Sequence, residues 1–315
     1  MALSDTHSIF GVAAGIPPAR ATLPAANIEF ARSKDANEAL TRISVNLFSD
    51  PLKPVRSVHA KARKYLDDVG LPWGFQGQRV IDNKISPEVA SRLQEFQQEA
   101  LAAWNRFLTE YPAYVEAARK RNTGLGQLFE DGLFPPVSEL RDKYHFDVMR
   151  DAITDPDDPR AGLSKGEADK LRKALKEQEK RNIQTANLAL FDKMRKPLER
   201  IVDSMTTFDG GRDGHFTHTM ITQVQEMADL IPGMNLGDNR ELKRIRRNLV
   251  TEVCSFEGKD LKKDPDKRQE ILDAANATLD RVGNFGMSIG APSLERNMES
   301  AKPNRAIEKK NRGKK

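Results

Sequence analysis

Apolar residues recur in steps of three and four along most of this chain, the pattern of helices that each bury one face. The longest such run is Val89, Leu93, Phe96, Ala100, Leu101, Trp104, Phe107, Leu108 and Tyr111. Ser86 and Pro87 supply its start, an N-cap followed by proline at the first helical position. Pro112 is expected to bend or restart this helix into Ala113–Arg121. A second long pattern runs from a capping box at Ser164 and Glu167 to about Thr207, with Pro197 predicted to kink it. Its stretch Lys176–Asn182 has no apolar residue, whereas Ile183, Ala186, Leu190, Met194, Leu198, Ile201, Met205 and Phe208 form a stripe. The first part of that helix is therefore expected in solvent and the remainder buried. Three further stripes predict helices over Thr217–Ile231, over Asn239–Val253 capped by Asp238, and over Pro265–Val282 capped by Asp264. Shorter helices are predicted near Lys34–Ser44, Pro54–Val69, within Gly124–Phe134 and over Pro136–Tyr144.

Strand signals are few. His145–Ile153 is the one plausible strand, and no partner for it stands out. The loop Leu71–Arg79 contains two glycines for tight turns, with Trp73 and Phe75 set to cover a core edge. The expected fold is mostly α, an elongated helical bundle with a long protruding charged helix, flexible termini and at most a minor β element. Residues 1–34, rich in Ala, Pro and Gly, are read as a flexible arm, 35–283 as one helical domain, and 284–315 as a flexible basic tail.

Composition refines this picture. The chain has 315 residues, 38% hydrophobic and 31% charged, with 6% aromatics, which suits helices with one buried stripe and disfavours a β-sandwich. Its net charge of +5 belongs entirely to the end: Lys302–Lys315 holds seven Lys/Arg and one acid, leaving residues 1–301 at −1. No apolar run reaches the ~18 residues that span a bilayer, and Asp5 precedes Ile9–Ile16 where a signal peptide would carry positive charge. A cytoplasmic protein without membrane attachment is expected. The single cysteine, Cys254, excludes an intramolecular disulfide and any multi-cysteine zinc site.

Candidate chemistry is sparse. No phosphate-binding loop is present, since neither glycine-rich fingerprint occurs. The cluster Asp209, Asp213, His215 and His218 lacks the ligand spacing of zinc proteases or EF-hands and reads as a glycine-rich turn, as does Asp155, Asp157 and Asp158. No catalytic, cofactor or metal residues are assigned. Arg240, Lys243, Arg244 and Arg247 fall at i, i+3, i+4 and i+7 opposite Leu242, Ile245 and Leu249. Together with Lys309, Lys310, Arg312, Lys314 and Lys315 of the tail, they are the candidate contacts for nucleic acid or an acidic partner. Lys165, Lys170, Lys173, Glu177 and Arg181 mark the charge-compensated start of the long helix as a protein-contact arm.

From Leu71 to Val282 the chain resembles domain-of-unknown-function family 3150, found in bacteriophages, plasmids and bacterial genomes. The resemblance rests on Leu71–Pro72–Trp73 with Gly77 and Arg79, the helix ending Trp104 to Tyr111, and Phe134–Pro135 followed by Pro136 to Arg141. The long charged helix and the connector Leu230 to Leu236 complete it. The resemblance implies no reaction and no site residues. It implies a neighbourhood of AAA-type ATPases and von Willebrand factor A-type proteins, and hence a helical partner of a remodelling complex. The leading expectation is a non-enzymatic phage-type adaptor or scaffold. The alternatives are a nucleic-acid-associated protein acting through its basic tail, a virion structural component and, most remotely, a hydrolase using Asp209, Asp213, His215 and His218.

Overall fold

The computed structural model describes residues 3–74, 77–122, 131–154, 165–207, 218–256 and 264–291. About 70% of these are helical, with a four-stranded and a two-stranded antiparallel sheet (the latter pairing Arg20–Thr22 with Ser44–Asn46), so the chain is mostly α with a minor β element. In chain order the elements are α1 (Leu3–Thr6), β1 (His7–Gly15), β2 (Arg20–Thr22), α2 (Pro24–Ser33), β3 (Ser44–Asn46), α3 (Lys53–Val69), β4 (Leu71–Pro72), β5 (Arg79–Asp82) and α4 (Ser86–Asn122). There follow α5 (Val137–Asp142), β6 (His145–Ala152), α6 (Lys165–Thr207), α7 (His218–Met234), α8 (Arg240–Asn248) with a π turn over Leu249–Val253, and α9 (Pro265–Ser288). Among the described residues no helix is long and apolar enough to cross a membrane.

The chain divides into two compact units rather than one helical domain: Met1–Leu190 with Leu230–Asn239, and Phe191–Asp229 with Arg240–Lys315. In the first unit the sheet order is β4-β5-β1-β6, and every neighbouring pair is antiparallel. The stretch expected as a flexible arm is thus partly the central strand of a sheet. Composition hid it, because Gly11, Ala13, Ala14 and Gly15 look like linker residues. Yet Phe10, Val12 and Ala14 alternate onto the core face, where Val12 stands opposite Val148 and Ala14 opposite Phe146. The missing partner of the predicted strand is therefore β1, at the other end of this unit's sequence.

Helices α3 and α4 cover that face. Phe10, Ile81 and Phe146 pack with Val58, Ala62 and Leu66 of α3 and with Val89, Leu93, Phe96 and Ala100 of α4. One turn further along α4, Trp104, Phe107, Leu108 and Tyr111 enter a second core with Phe48, Leu52, Val55 and Leu140. The apolar stripe read in the sequence thus serves two cores in succession. Helix α4 runs through Pro112 as a single element, and α6 runs likewise through Pro197.

Two local expectations change. Lys34–Ser44 is not a helix: α2 ends at Ser33, Asp35 takes a left-handed backbone (φ 51°), and Asn37 caps only the single 3-10 turn Glu38–Leu40. The last helix does not end at Val282 but continues to Ser288, because Phe285 and Gly286 extend its buried stripe. A Cβ on Gly286 would lie 2.5 Å from Cε2 of Phe191, so only glycine lets α6 and α9 approach so closely there. Asp264 caps α9 as the sequence indicates, accepting from the amides of Asp266 and Lys267.

The remainder of the second unit is helical. Met194, Leu198, Ile201 and Met205 of α6 are buried, as are Ile221, Val224, Met227 and Ala228 of α7. Leu242, Ile245, Leu249 and Val253 supply the stripe of α8 and its π turn, and Ile271, Ala275, Leu279 and Val282 that of α9.

Candidate interaction surfaces

The long helix α6 separates into two chemically different halves. No described side chain before Ala186 is buried, whereas Ala186, Leu190, Met194, Leu198, Ile201 and Met205 are. At 1.5 Å per residue, the unburied part is about 30 Å of helix. Lys170, Lys173, Glu177 and Arg181 are all exposed; Lys165 begins the helix, and its side chain lies outside the described residues. Arg172 pairs with Asp169 one turn earlier, at 3.1 Å. Surface pairs of this type contribute at most ~0.5 kcal/mol each, enough to support helicity but not to anchor the segment. The face that carries the buried stripe also continues backwards through Leu175 to Leu171, which is 43% exposed. This half of α6 therefore offers a sparse apolar line flanked by both signs of charge, the form in which helices enter grooves on partner proteins.

The basic stripe of α8 lies where its spacing puts it. Arg240, Lys243, Arg244 and Arg247 are exposed, while Leu242, Ile245 and Leu249 are buried on the opposite side. Arg244 is shared with Glu241 at 3.3 Å, which weakens the stripe's positive field. Between these residues, Arg246 turns inward and donates from Nε to the carbonyl of Ala228, tying α8 to α7. Before α8, the side chain of Asn235 both donates to the carbonyl and accepts from the amide of Asn239, and Asp238 adopts φ 48°.

Several sequence candidates lie outside the described residues: Asp155, Asp157, Asp158, Asp209, Asp213, His215, the side chain of His218, and the tail residues Lys309, Lys310, Arg312, Lys314 and Lys315. Among the described residues no group of three or more His, Cys, Asp or Glu is arranged to hold a metal ion. Cys254 is half-buried, and burial, aided by nearby Asp229, pushes its thiol up to about 11. A thiol held protonated is a poor nucleophile.

One titratable group passed over by the sequence reading is His59. It belongs to the apolar stripe of α3 (Val55, Val58, His59, Ala62, Leu66), and that position was the available signal. The ring is only 4% exposed, stacks on Tyr144 and lies 5.1 Å from Phe146. Burial chiefly, then Arg63 and His145, lower its pKa to about 4. Tyr144 in turn stacks on Trp104 at 4.8 Å, and burial raises its hydroxyl to about 12. Neutral, stacked and within the core, His59 is placed for packing.

No family model matches the chain, and comparison with curated proteins and with solved structures gives no match.

Proposed function

We propose that this protein is a non-enzymatic helical adaptor that captures a protein partner along the first half of α6. The observation that carries the reading is the change within one continuous helix, from no buried residue before Ala186 to a regular buried stripe after it. A helix of that length in water gains little from propensity alone and is stabilised mainly by packing an apolar line. Leu171 and Leu175 provide such a line, and a partner's groove is the surface that would cover it. The resemblance drawn from the sequence adds the kind of partner, an AAA-type ATPase or von Willebrand factor A-type assembly of a phage or its host.

Deletion of Lys165–Gln178 tests this. It removes fourteen residues, close to four helical turns, so the retained stripe keeps nearly the same phase. Affinity purification of the tagged protein is expected to recover the partner with the full chain and to lose it with the deletion, while far-UV circular dichroism shows the rest still folded. Unchanged recovery would refute the reading.

A second reading is a nucleic-acid-associated protein acting through Arg240, Lys243, Arg244 and Arg247, which share one exposed face of α8. It requires binding whose logarithm falls steeply with the logarithm of salt, and loss of that slope when the four residues become glutamine.

A further inference from the structure

Strand β6 is the edge of its sheet, and no described strand lies beyond it. The register shows which of its backbone groups face outward. Asn83 donates to the carbonyl of Thr6, one step beyond the pair His7 and Asp82, so the even residues of β1 bond to β5. The odd residues of β1 must then bond to β6, through His145, Asp147, Met149 and Asp151. Phe146, Val148, Arg150 and Ala152 consequently turn their amides and carbonyls away from the sheet. In keeping with this, the Phe146 carbonyl accepts from the Gln97 side chain at 2.7 Å. Val148, Arg150 and Ala152 have no described strand to pair with.

The bulky side chains of β6 leave this edge open, because they lean inward across β1. A Cβ on Gly15 would overlap the His145 ring, and one on Gly11 would meet Cε of Met149 at 3.0 Å. Arg150 reaches back over the ring of Phe10 at 5.4 Å. Beside the edge, α4 presents Leu101, one turn after Gln97 on the same flank and 50% exposed. A strand edge with no described partner, next to an exposed leucine, is a surface on which another strand can add.

We infer that this edge pairs with β6 of a second copy, about a two-fold axis at Val148, to give a continuous antiparallel sheet. The charges along β6 leave its edge compatible with a second copy of itself and narrow the register. An axis at Asp147 or Asp151 sets that aspartate against itself, one at Arg150 sets arginine against arginine, and one at Met149 sets Asp147 against Asp151. Like charges directly opposite one another are destabilising. An axis at Phe146 centres the pairing where Gln97 already caps the carbonyl. The axis at Val148 instead places Val148 on Val148, Phe146 on Arg150, Asp147 on Met149 and His145 on Asp151. It uses the outward-facing groups of Val148 and Arg150 and the outward amide of Phe146, whose carbonyl keeps its bond from Gln97, and the symmetry brings the two Leu101 flanks to the same side of the joined sheet.

Sedimentation equilibrium of the full chain, from low micromolar to near-millimolar concentration, is expected to show a reversible monomer–dimer equilibrium. Val148→Pro removes an outward amide without touching a bond to β1 and is expected to abolish the dimer. Leu101→Glu and Asp151→Lys are surface changes that should each weaken dimerisation about tenfold. They keep the test valid if the proline variant misfolds. Adding His145→Glu to Asp151→Lys restores opposite charges in this register alone and should recover affinity. A protein that stays monomeric throughout the range overturns the inference. So does a dimer indifferent to Leu101→Glu and Asp151→Lys, or a monomer whose Val148 and Arg150 amides are already protected from exchange by another part of its own chain.

Discussion

Lowering the pH should weaken the first unit through His59 in particular. The folded pKa of about 4 lies below the ordinary value of 6.5, so the fold favours the neutral ring. The stability this contributes is fully present above pH 6.5 and is lost as the pH falls from there toward 4. Between pH 7.5 and pH 5 the loss amounts to about 2 kcal/mol, a large part of the margin of a small domain. Both tryptophans, Trp73 and Trp104, lie in this unit and are buried, so their fluorescence reports its unfolding selectively. Urea titrations at the two pH values should show the drop in the native protein. His59→Phe keeps a ring against Tyr144 and Phe146 but cannot titrate, and should show a drop smaller by about 2 kcal/mol. Comparing the two proteins cancels the carboxylates that titrate over the same range. An equal drop in both would refute the argument that a buried, stacked imidazole sets this sensitivity.

Three other outcomes follow from packing and burial. Removing Met1–Gly15 should unfold the first unit, seen as loss of the cooperative tryptophan transition, because β1 is the central strand; a dispensable arm would leave that transition unchanged. Gly286→Val should destabilise the second unit by about 1–3 kcal/mol by driving side-chain atoms into Phe191, with partial rescue by Phe191→Leu, both read from thermal circular dichroism. Cys254 in the native protein should resist alkylation at pH 8, where a thiol near 11 is only about 0.1% thiolate, and react readily once urea exposes it.

Much of the helical architecture was legible because it depends on local periodicity. The stripes beginning at Val89, Ile183, Leu242 and Ile271 are buried in the main, Leu101 being exposed and Ile183 half-buried, and the division of α6 followed from the absence of apolar residues over Lys176–Asn182. The sheet was not legible, for two physical reasons. Strand pairing is non-local: β6 finds its partner at Ser8–Gly15, and one strand's alternation does not say which distant segment it meets. In addition, β1 carries glycines where His145 and Met149 fold across it, so the residues that suit the sheet are those that imitate a linker. The end of α9 was missed for a related reason: the glycine-containing stretch after Val282 reads as the start of a tail, whereas Gly286 is a point of close approach to Phe191 within the helix. Of the candidate surfaces, the α8 stripe and the exposed half of α6 lie where helical spacing placed them. The open edge of β6 depends on the order of the strands and could be read only once that order was known.

The most direct measurement for the central claim compares quantitative affinity purification of the tagged full chain with that of the Lys165–Gln178 deletion, expressed in the native cell at matched levels. The account predicts a defined protein partner that the full chain enriches and the deletion loses, with both proteins showing the same tryptophan unfolding transition. Equal enrichment of that partner by both proteins would contradict it.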